Sequence, residues 1–64
     1  MENVQYKIAT KRFYVADDVA GILGISKSKA YKVIKELNEE LSNNGKIVIA
    51  GKISKRYFEE KVYM

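Results

Sequence analysis

Apolar residues recur at helical spacing in two consecutive segments of the chain. Residues 16–23 carry a first stripe, made of Val19, Ala20, Ile22 and Leu23. Residues 27 to about 42 carry a longer stripe, made of Ala30, Val33, Ile34, Leu37 and Leu41. A repeat of three to four residues is typical of a helix with one buried face. The pattern predicts two helices, and it places Ala30, Ile34, Leu37 and Leu41 of the second in the core.

The junction between these helices has the residues of a sharp turn. Gly24 is the expected left-handed stop of the first helix, and Ser26 is a good N-cap for the second. Ile25 lies between them and is expected to fill the angle between the helices. Asp17 and Asp18 fall in the first turn of the first helix, where carboxylates oppose the positive end of the helix dipole. These features predict a helix-turn-helix.

The pattern changes after the turn-forming residues 42–45. Residues 46–49 alternate as a short strand, Ala50 and Gly51 form a tight turn, and residues 52–53 begin a return strand. Ser54 caps a last helix from Lys55 to about Val62. Residues 12–15 are β-prone, and residues 1–10 are either a short strand or an arm. The predicted fold is a single domain over residues 1–64, mostly α with a small β-hairpin: a winged helix-turn-helix.

Composition excludes most enzyme chemistry. The chain of 64 residues has no Cys and no His, which removes thiolate sites, the commonest general base and the commonest transition-metal ligand. The acidic pairs are adjacent in sequence, and neighbouring residues on a helix point about 100° apart. They are therefore interpreted as dipole compensation (residues 17–18) and as solvated faces (39–40 and 59–60). The glycines form no phosphate-binding loop. We expect no enzyme, no catalytic residue, no metal and no cofactor.

No apolar run approaches the roughly 20 residues of a membrane helix. The first residues do not have a basic stretch followed by an apolar one, so no signal peptide is expected. A cytoplasmic protein without a membrane partner is the prediction.

The charge is unevenly distributed along the chain, whose net charge is +4. Residues 26–35 contain four lysines and no acid, whereas the charged residues of 36–45 are all glutamates. A basic helix that follows a tight turn is suited to the major groove of DNA, where base edges distinguish all four base pairs. Double-stranded DNA is the predicted partner.

The candidate contacts divide by position on the helix. Ser26, at the start of the second helix, is a candidate contact. Four residues lie nearest the bases, namely Lys27, Ser28, Tyr31 and Lys32. Lys29 and Lys35 flank that face and are expected to meet phosphates. Lys52, at the tip of the predicted hairpin, would reach a phosphate or the minor groove. Lys55 and Arg56 are further phosphate candidates.

Each of these assignments has a structural alternative. A lysine-rich helix face is often only solvated, Lys52 can be a solvated turn residue, and Tyr31 can cover the edge of the core. Phe13, Tyr57 and Phe58 are interpreted as packing residues, with base stacking as the less favoured alternative. A different function remains open: the acidic residues 36, 39 and 40, with the aromatic last helix, would suit a small protein-interaction module or inhibitor.

Residues 13–31, from Phe13-Tyr14-Val15 through Gly24-Ile25-Ser26 to Ala30-Tyr31, resemble the helix-turn-helix of excisionase-type, MerR-like winged-helix proteins. These are short DNA-binding proteins of phages and integrative elements. The segments 37–41, 45–53 and 56–58 are similar to small members from such elements. One departure is Val15-Ala16, where the family usually has Thr, Ser or Asp as the cap, often followed by Pro.

The resemblance implies that Ser26, Lys27, Ser28, Tyr31 and Lys32 match the base-reading helix and that residues 50–52 match the wing tip. It implies a recombination directionality factor that bends DNA and works with an integrase, or a transcriptional repressor with the same surface. When bound to DNA, the protein is expected at the nucleoid, and self-association on DNA is expected from the small size of one module. A single module contacts little DNA, so repeated or inverted sites are expected.

Overall fold

A computed structural model describes residues 12–62 of the chain. These residues form three helices and one two-stranded sheet, in the order β1 (Phe13–Val15), α1 (Ala16–Leu23), α2 (Lys27–Asn43), β2 (Lys52–Ser54) and α3 (Lys55–Lys61). The mostly helical, winged-helix class predicted from the sequence is confirmed, as are the bounds of the first two helices to within one residue. The prediction of a strand or an arm at residues 1–10 lies outside the described residues.

Helix α1 begins without a Ser, Thr or Asp at its cap position. Val15 occupies that position in an extended conformation, and its backbone N–H donates to the Asp18 carboxylate at 3.0 Å. This is the half of a capping box that runs from the third helical residue back to the cap. Asp18 therefore compensates structurally for the missing cap side chain, beyond its effect on the helix dipole.

The turn between α1 and α2 has the geometry that its sequence predicts. Gly24 has a φ of 68° in the left-handed region, and the N–H groups of Gly24 and Ile25 both donate to the Ala20 carbonyl, at 2.9 and 3.1 Å. The Ser26 hydroxyl then accepts from the Lys29 N–H at 3.2 Å and caps α2. Ile25 is half-buried against the core between the two helices. The predicted helix-turn-helix is confirmed.

The predicted ribbon of residues 46–49 with 52–53 is wrong in its pairing. Strand β2 pairs antiparallel with β1, in the register Phe13 with Ser54 and Val15 with Lys52. Of the predicted hairpin, one bridge between Ile49 and Lys52 remains, and residues 46–48 are outside any strand. Ile47, which the alternation placed in a strand, is 95% exposed.

The end of α2 explains why this strand does not form. The N–H groups of Asn44, Gly45 and Lys46 all donate to carbonyls of residues 40–42. The chain is therefore still closing the helix at Lys46, and residues 47 and 48 alone separate it from the bridge at Ile49. We use the term wing for residues 47–53.

The core lies between the helices and β2. Its fully buried side chains are Ala16, Val19, Ala30, Ile34, Ile53 and Phe58. Phe58 is the largest, and its ring meets that of Tyr14 edge-on at 5.5 Å. Leu37 and Leu41 pack partly buried against this cluster, as their spacing predicts. Of the aromatic residues interpreted as packing residues, Phe58 is buried and Tyr57 half-buried, while Phe13 stays 39% exposed.

Candidate nucleic-acid interface

The start of α2 presents a basic, solvent-accessible surface. We call residues 26–35 the basic segment; its predicted contacts are all exposed, namely Ser26, Lys27, Ser28, Lys29, Tyr31, Lys32 and Lys35. The buried residues of the segment, Ala30 and Ile34, face the opposite way. The Tyr31 side chain is 50% exposed and therefore does not close the edge of the core. Four ammonium groups can reach a ligand here without disturbing the fold.

Two members of the basic segment also have intramolecular partners. The Ser26 hydroxyl caps α2 by accepting from the Lys29 N–H, which uses one of its two lone pairs and leaves its O–H free to donate. The Lys27 ammonium lies 3.3 Å from the Asp17 carboxylate of α1, and both side chains are more than half exposed. An ion pair this exposed contributes little to stability, so Lys27 can exchange it for a phosphate at small cost.

Asn38 joins the wing to α2. Its Nδ2 donates to the Ile49 carbonyl at 3.2 Å and to the Lys52 carbonyl at 2.9 Å. Among the described residues, Asn38 is the one polar residue that is buried, at 9% exposure. From the helical pattern alone, Asn38 would be interpreted as part of the polar outer face of α2, and the structure shows that this interpretation is wrong. The available signal is its spacing: Asn38 follows the buried Ile34 by one helical turn, at the margin of the apolar stripe.

A cleft of about 690 Å³ separates α2 from the wing. It is lined from α2 by Tyr31, Ile34, Lys35, Asn38, Glu39 and Ser42, and from the wing by Val48, Ala50 and Gly51. The basic segment and the wing tip therefore border one concave surface. Lys52 is exposed directly after that tip.

Lys55 and Arg56 lie on a different groove, which they line with Arg12, Phe13 and Glu59. The Lys55 N–H donates to the Arg12 carbonyl at 2.9 Å, and its ammonium lies 5.9 Å from the centre of the Tyr14 ring. The structure thus brings Lys52, but not this pair, beside the cleft of the basic segment.

Two of the paired acids hold α3 against the rest of the domain. Glu40 of α2 accepts from the Tyr57 hydroxyl at 2.6 Å and forms an ion pair with Lys61 at 3.3 Å. The Tyr57 hydrogen bond is the main reason that the pKa of Glu40 is lowered, and it also raises the pKa of Tyr57.

The second of these acids, Glu59, accepts from the Tyr14 hydroxyl at 3.0 Å. The pKa of Tyr14 is raised by burial first and by this hydrogen bond second. Glu40 and Glu59 are exposed, as the sequence predicts. Their hydrogen bonds to tyrosines of other elements were not predicted, because sequence spacing does not show which residues of other elements they meet.

Within residues 12–62, no helix combines the length and apolar character needed to cross a bilayer. The same residues contain no group of three or more acidic side chains placed to hold a metal ion.

Comparison with known proteins identifies the family. No protein-family model matches the chain. No solved structure matches it significantly. Among curated proteins, the ICEBs1 excisionase of Bacillus subtilis (strain 168) is 42% identical to it over 48 residues, which cover 75% of each chain. With that identity over three quarters of both proteins, this chain belongs to the family of excisionase-type proteins of mobile elements.

Proposed function

We propose that this protein is a recombination directionality factor that binds duplex DNA through the basic segment and the wing. The observation that carries the proposal is the exposed start of α2, with four lysines and no acid, on a helix capped after a tight turn. The similarity to an excisionase supports recombination as the process that this binding serves.

In the bound state, the start of α2 lies in the major groove. Lys27, Ser28, Tyr31 and Lys32 are the side chains nearest the base edges, with Ser26 at the start of the helix. Lys29 and Lys35 flank them and meet phosphates, which position the helix without reading sequence. Lys52 approaches the backbone or the minor groove from the wing, and Lys55 and Arg56 offer phosphate contacts further out.

The activity is architectural and needs no catalytic residue or cofactor of this chain. One module of this size covers roughly 600–1,000 Å² of its surface on DNA, which favours modest affinity. Copies bound side by side on repeated sites would bend the DNA and present it to an integrase. The protein would act in the cytoplasm, at the nucleoid.

A salt titration tests the DNA-binding surface. Binding to a mixed-sequence duplex is followed by fluorescence anisotropy at about 50 and 200 mM salt. Each neutralised phosphate contributes about −0.9 to the log–log slope, and we expect a slope of about −3 to −6. Absence of binding by the wild-type protein at the lower salt would overturn the proposal.

Charge reversal locates the surface. The double variant Lys29→Glu/Lys32→Glu is expected to abolish binding. The matched pair Lys32→Glu and Lys46→Glu changes the net charge equally, but Lys46 lies beyond the end of α2, where it lines a different groove with Leu41 and Tyr57. We expect Lys32→Glu to lower the DNA affinity more than tenfold and Lys46→Glu to lower it much less. Equal losses would mean that total charge matters and that the basic segment is wrongly assigned.

Excision and repression use the same surface and need a functional assay. A substrate carrying the two recombined ends of an integrated element is incubated with the element's integrase, with and without the protein. Stimulation of excision that is lost in Lys29→Glu/Lys32→Glu supports the proposal. DNA binding without such stimulation would favour the transcriptional repressor.

A further inference from the structure

We propose that Asn38 is a positioning residue that fixes the wing relative to the basic segment, so that Lys52 and the lysines of α2 bind one DNA together. The inference rests on the proposed DNA-binding function. It concerns a residue that does not itself contact DNA and acts through the wing backbone.

Asn38 donates hydrogen bonds to both ends of the turn at the tip of the wing. The two carbonyls that accept from its Nδ2 belong to Ile49 and Lys52, the first and last residues of the four-residue turn around Ala50 and Gly51. That turn is closed by the Lys52 N–H, which donates to the same Ile49 carbonyl at 3.1 Å. Gly51 has a φ of 80°, which suits the third position of a type II turn. One side-chain amide thus holds both ends of the turn.

The wing has few other restraints. Its pairing with β1 begins at Lys52, and before that residue the wing contributes only the bridge of Ile49 with Lys52 itself. A complete hairpin would set the direction of the turn through its own ladder. Here the position of the turn relative to α2 depends on the amide of Asn38, because the bridge is internal to the turn.

The same helix carries the basic segment and the residue that holds the wing. Asn38 follows Lys35 by three residues and Tyr31 by seven, so all three lie on neighbouring positions of α2. Tyr31 and Lys35 line the cleft together with Ala50 and Gly51. The distance from the base-reading side chains to Lys52 is therefore set within a single rigid helix and one pair of hydrogen bonds.

Asparagine suits this position chemically. Its amide nitrogen carries two N–H donors, which matches the two carbonyls. Leucine has a similar size and no donor, so Asn38→Leu keeps the volume and removes both hydrogen bonds. Without them the wing is free to move away from α2, and Lys52 no longer has a defined place on the DNA.

A double-mutant cycle on DNA affinity tests the proposal. One phosphate contact changes log K by about 0.9 per decade of salt, so Lys52→Ala is expected to weaken binding about eightfold at 0.1 M salt in the wild-type protein. In the Asn38→Leu background, Lys52→Ala is expected to weaken binding less than twofold. Equal losses in the two backgrounds would overturn the proposal, as would no loss in the wild-type protein.

Lys32→Ala provides the matched control cycle. Lys32 is on α2 and its position does not depend on the wing. Lys32→Ala is therefore expected to weaken DNA binding by the same factor with and without Asn38→Leu. If Asn38→Leu merely weakened the fold, both cycles would change together, which would contradict a positioning role. If Asn38→Leu does not fold by circular dichroism, Asn38→Ala, which also removes both donors and adds no bulk, replaces it in both cycles with the same expectations.

The outcomes separate this inference from the function on which it rests. Failure of the wild-type protein to bind DNA overturns the proposed function. If the wild-type protein binds DNA and the affinity losses of Lys52→Ala and Asn38→Leu simply add, that function stands and only the role of Asn38 is overturned.

Discussion

Two glycines three residues apart are expected to respond in opposite directions to the same substitution. Gly21 lies in the interior of α1 and Gly24 is its C-cap, and a Cβ placed on either would have no atom within 4 Å. Steric contact therefore contributes to neither change. What differs is the backbone, since Gly24 alone of the two has a positive φ, of 68°.

The magnitudes follow from that difference. Gly21→Ala is expected to stabilise the domain by about 1 kcal/mol, because alanine is the better helix former. Gly24→Ala places a side chain in the left-handed region, which costs about 1–2 kcal/mol. The smaller entropy of its unfolded chain offsets about 0.4–1 kcal/mol of this. The two variants should differ by roughly 2 kcal/mol in the free energy of unfolding.

Urea denaturation followed by far-ultraviolet circular dichroism measures both values. For a domain of this size, 1 kcal/mol shifts Tm by roughly 4–8 °C, so thermal unfolding should separate the variants by about 10 °C. Destabilisation by Gly21→Ala, or no effect of Gly24→Ala, would show that contacts rather than backbone conformation decide the stability of this turn.

Three further predictions concern the core, the stability of the fold at acidic pH, and the proposed DNA interface. Phe58→Ala empties a fully buried site and is expected to lower the free energy of unfolding by about 3–5 kcal/mol, enough to unfold much of the protein at 37 °C. Phe13→Ala, at a 39% exposed site, should lower it far less. Thermal denaturation compares the two variants. The lowered pKa of Glu40 means that its contacts stabilise the fold above the unfolded-state pKa, about 4.3, and that this stability is lost as pH falls through the lower folded-state value. Glu40→Gln should therefore be less stable than wild type at pH 7 and lose that difference in acid, and a difference unchanged by pH would contradict the cause assigned here. Asp17→Asn releases Lys27 and removes a negative charge beside the basic segment, so DNA affinity measured by anisotropy should rise, most strongly at low salt. Because Asp17 also lies in the first turn of α1, the free energy of unfolding should fall by about 0.3–1 kcal/mol. Weaker DNA binding would mean that the ion pair holds Lys27 in its binding geometry.

The helices were predictable because their signals are local. Ser26, Gly24 and the apolar stripes act on residues within one turn of themselves, and the structure has those helices and caps as expected. The wing was not predictable in the same way. Residues 46–49 have the alternation of a strand, but whether they pair depends on β1, which lies more than 30 residues earlier in the chain.

The candidate site also contains residues with local signals, which could be predicted, and residues with distant partners, which could not. The exposed lysines of α2 follow from its helical period, so their shared face could be predicted. Asn38 could not, because an asparagine next to an apolar stripe has the same sequence context whether it meets water or two carbonyls of the wing. Glu40 and Glu59 were missed for the same reason, since Tyr57 and Tyr14 reach them from elements distant in sequence.

The pairing of β1 with β2 has a consequence for the order in which the protein matures. The ribosome completes β1 and the helix-turn-helix before it makes β2 and Phe58, which supply two of the largest buried side chains. Helix α2 is thus synthesised before the strand and the helix that complete its core. A nascent or truncated chain that ends before residue 52 therefore has the lysines of α2 without the strand and the Phe58 side chain that complete the core.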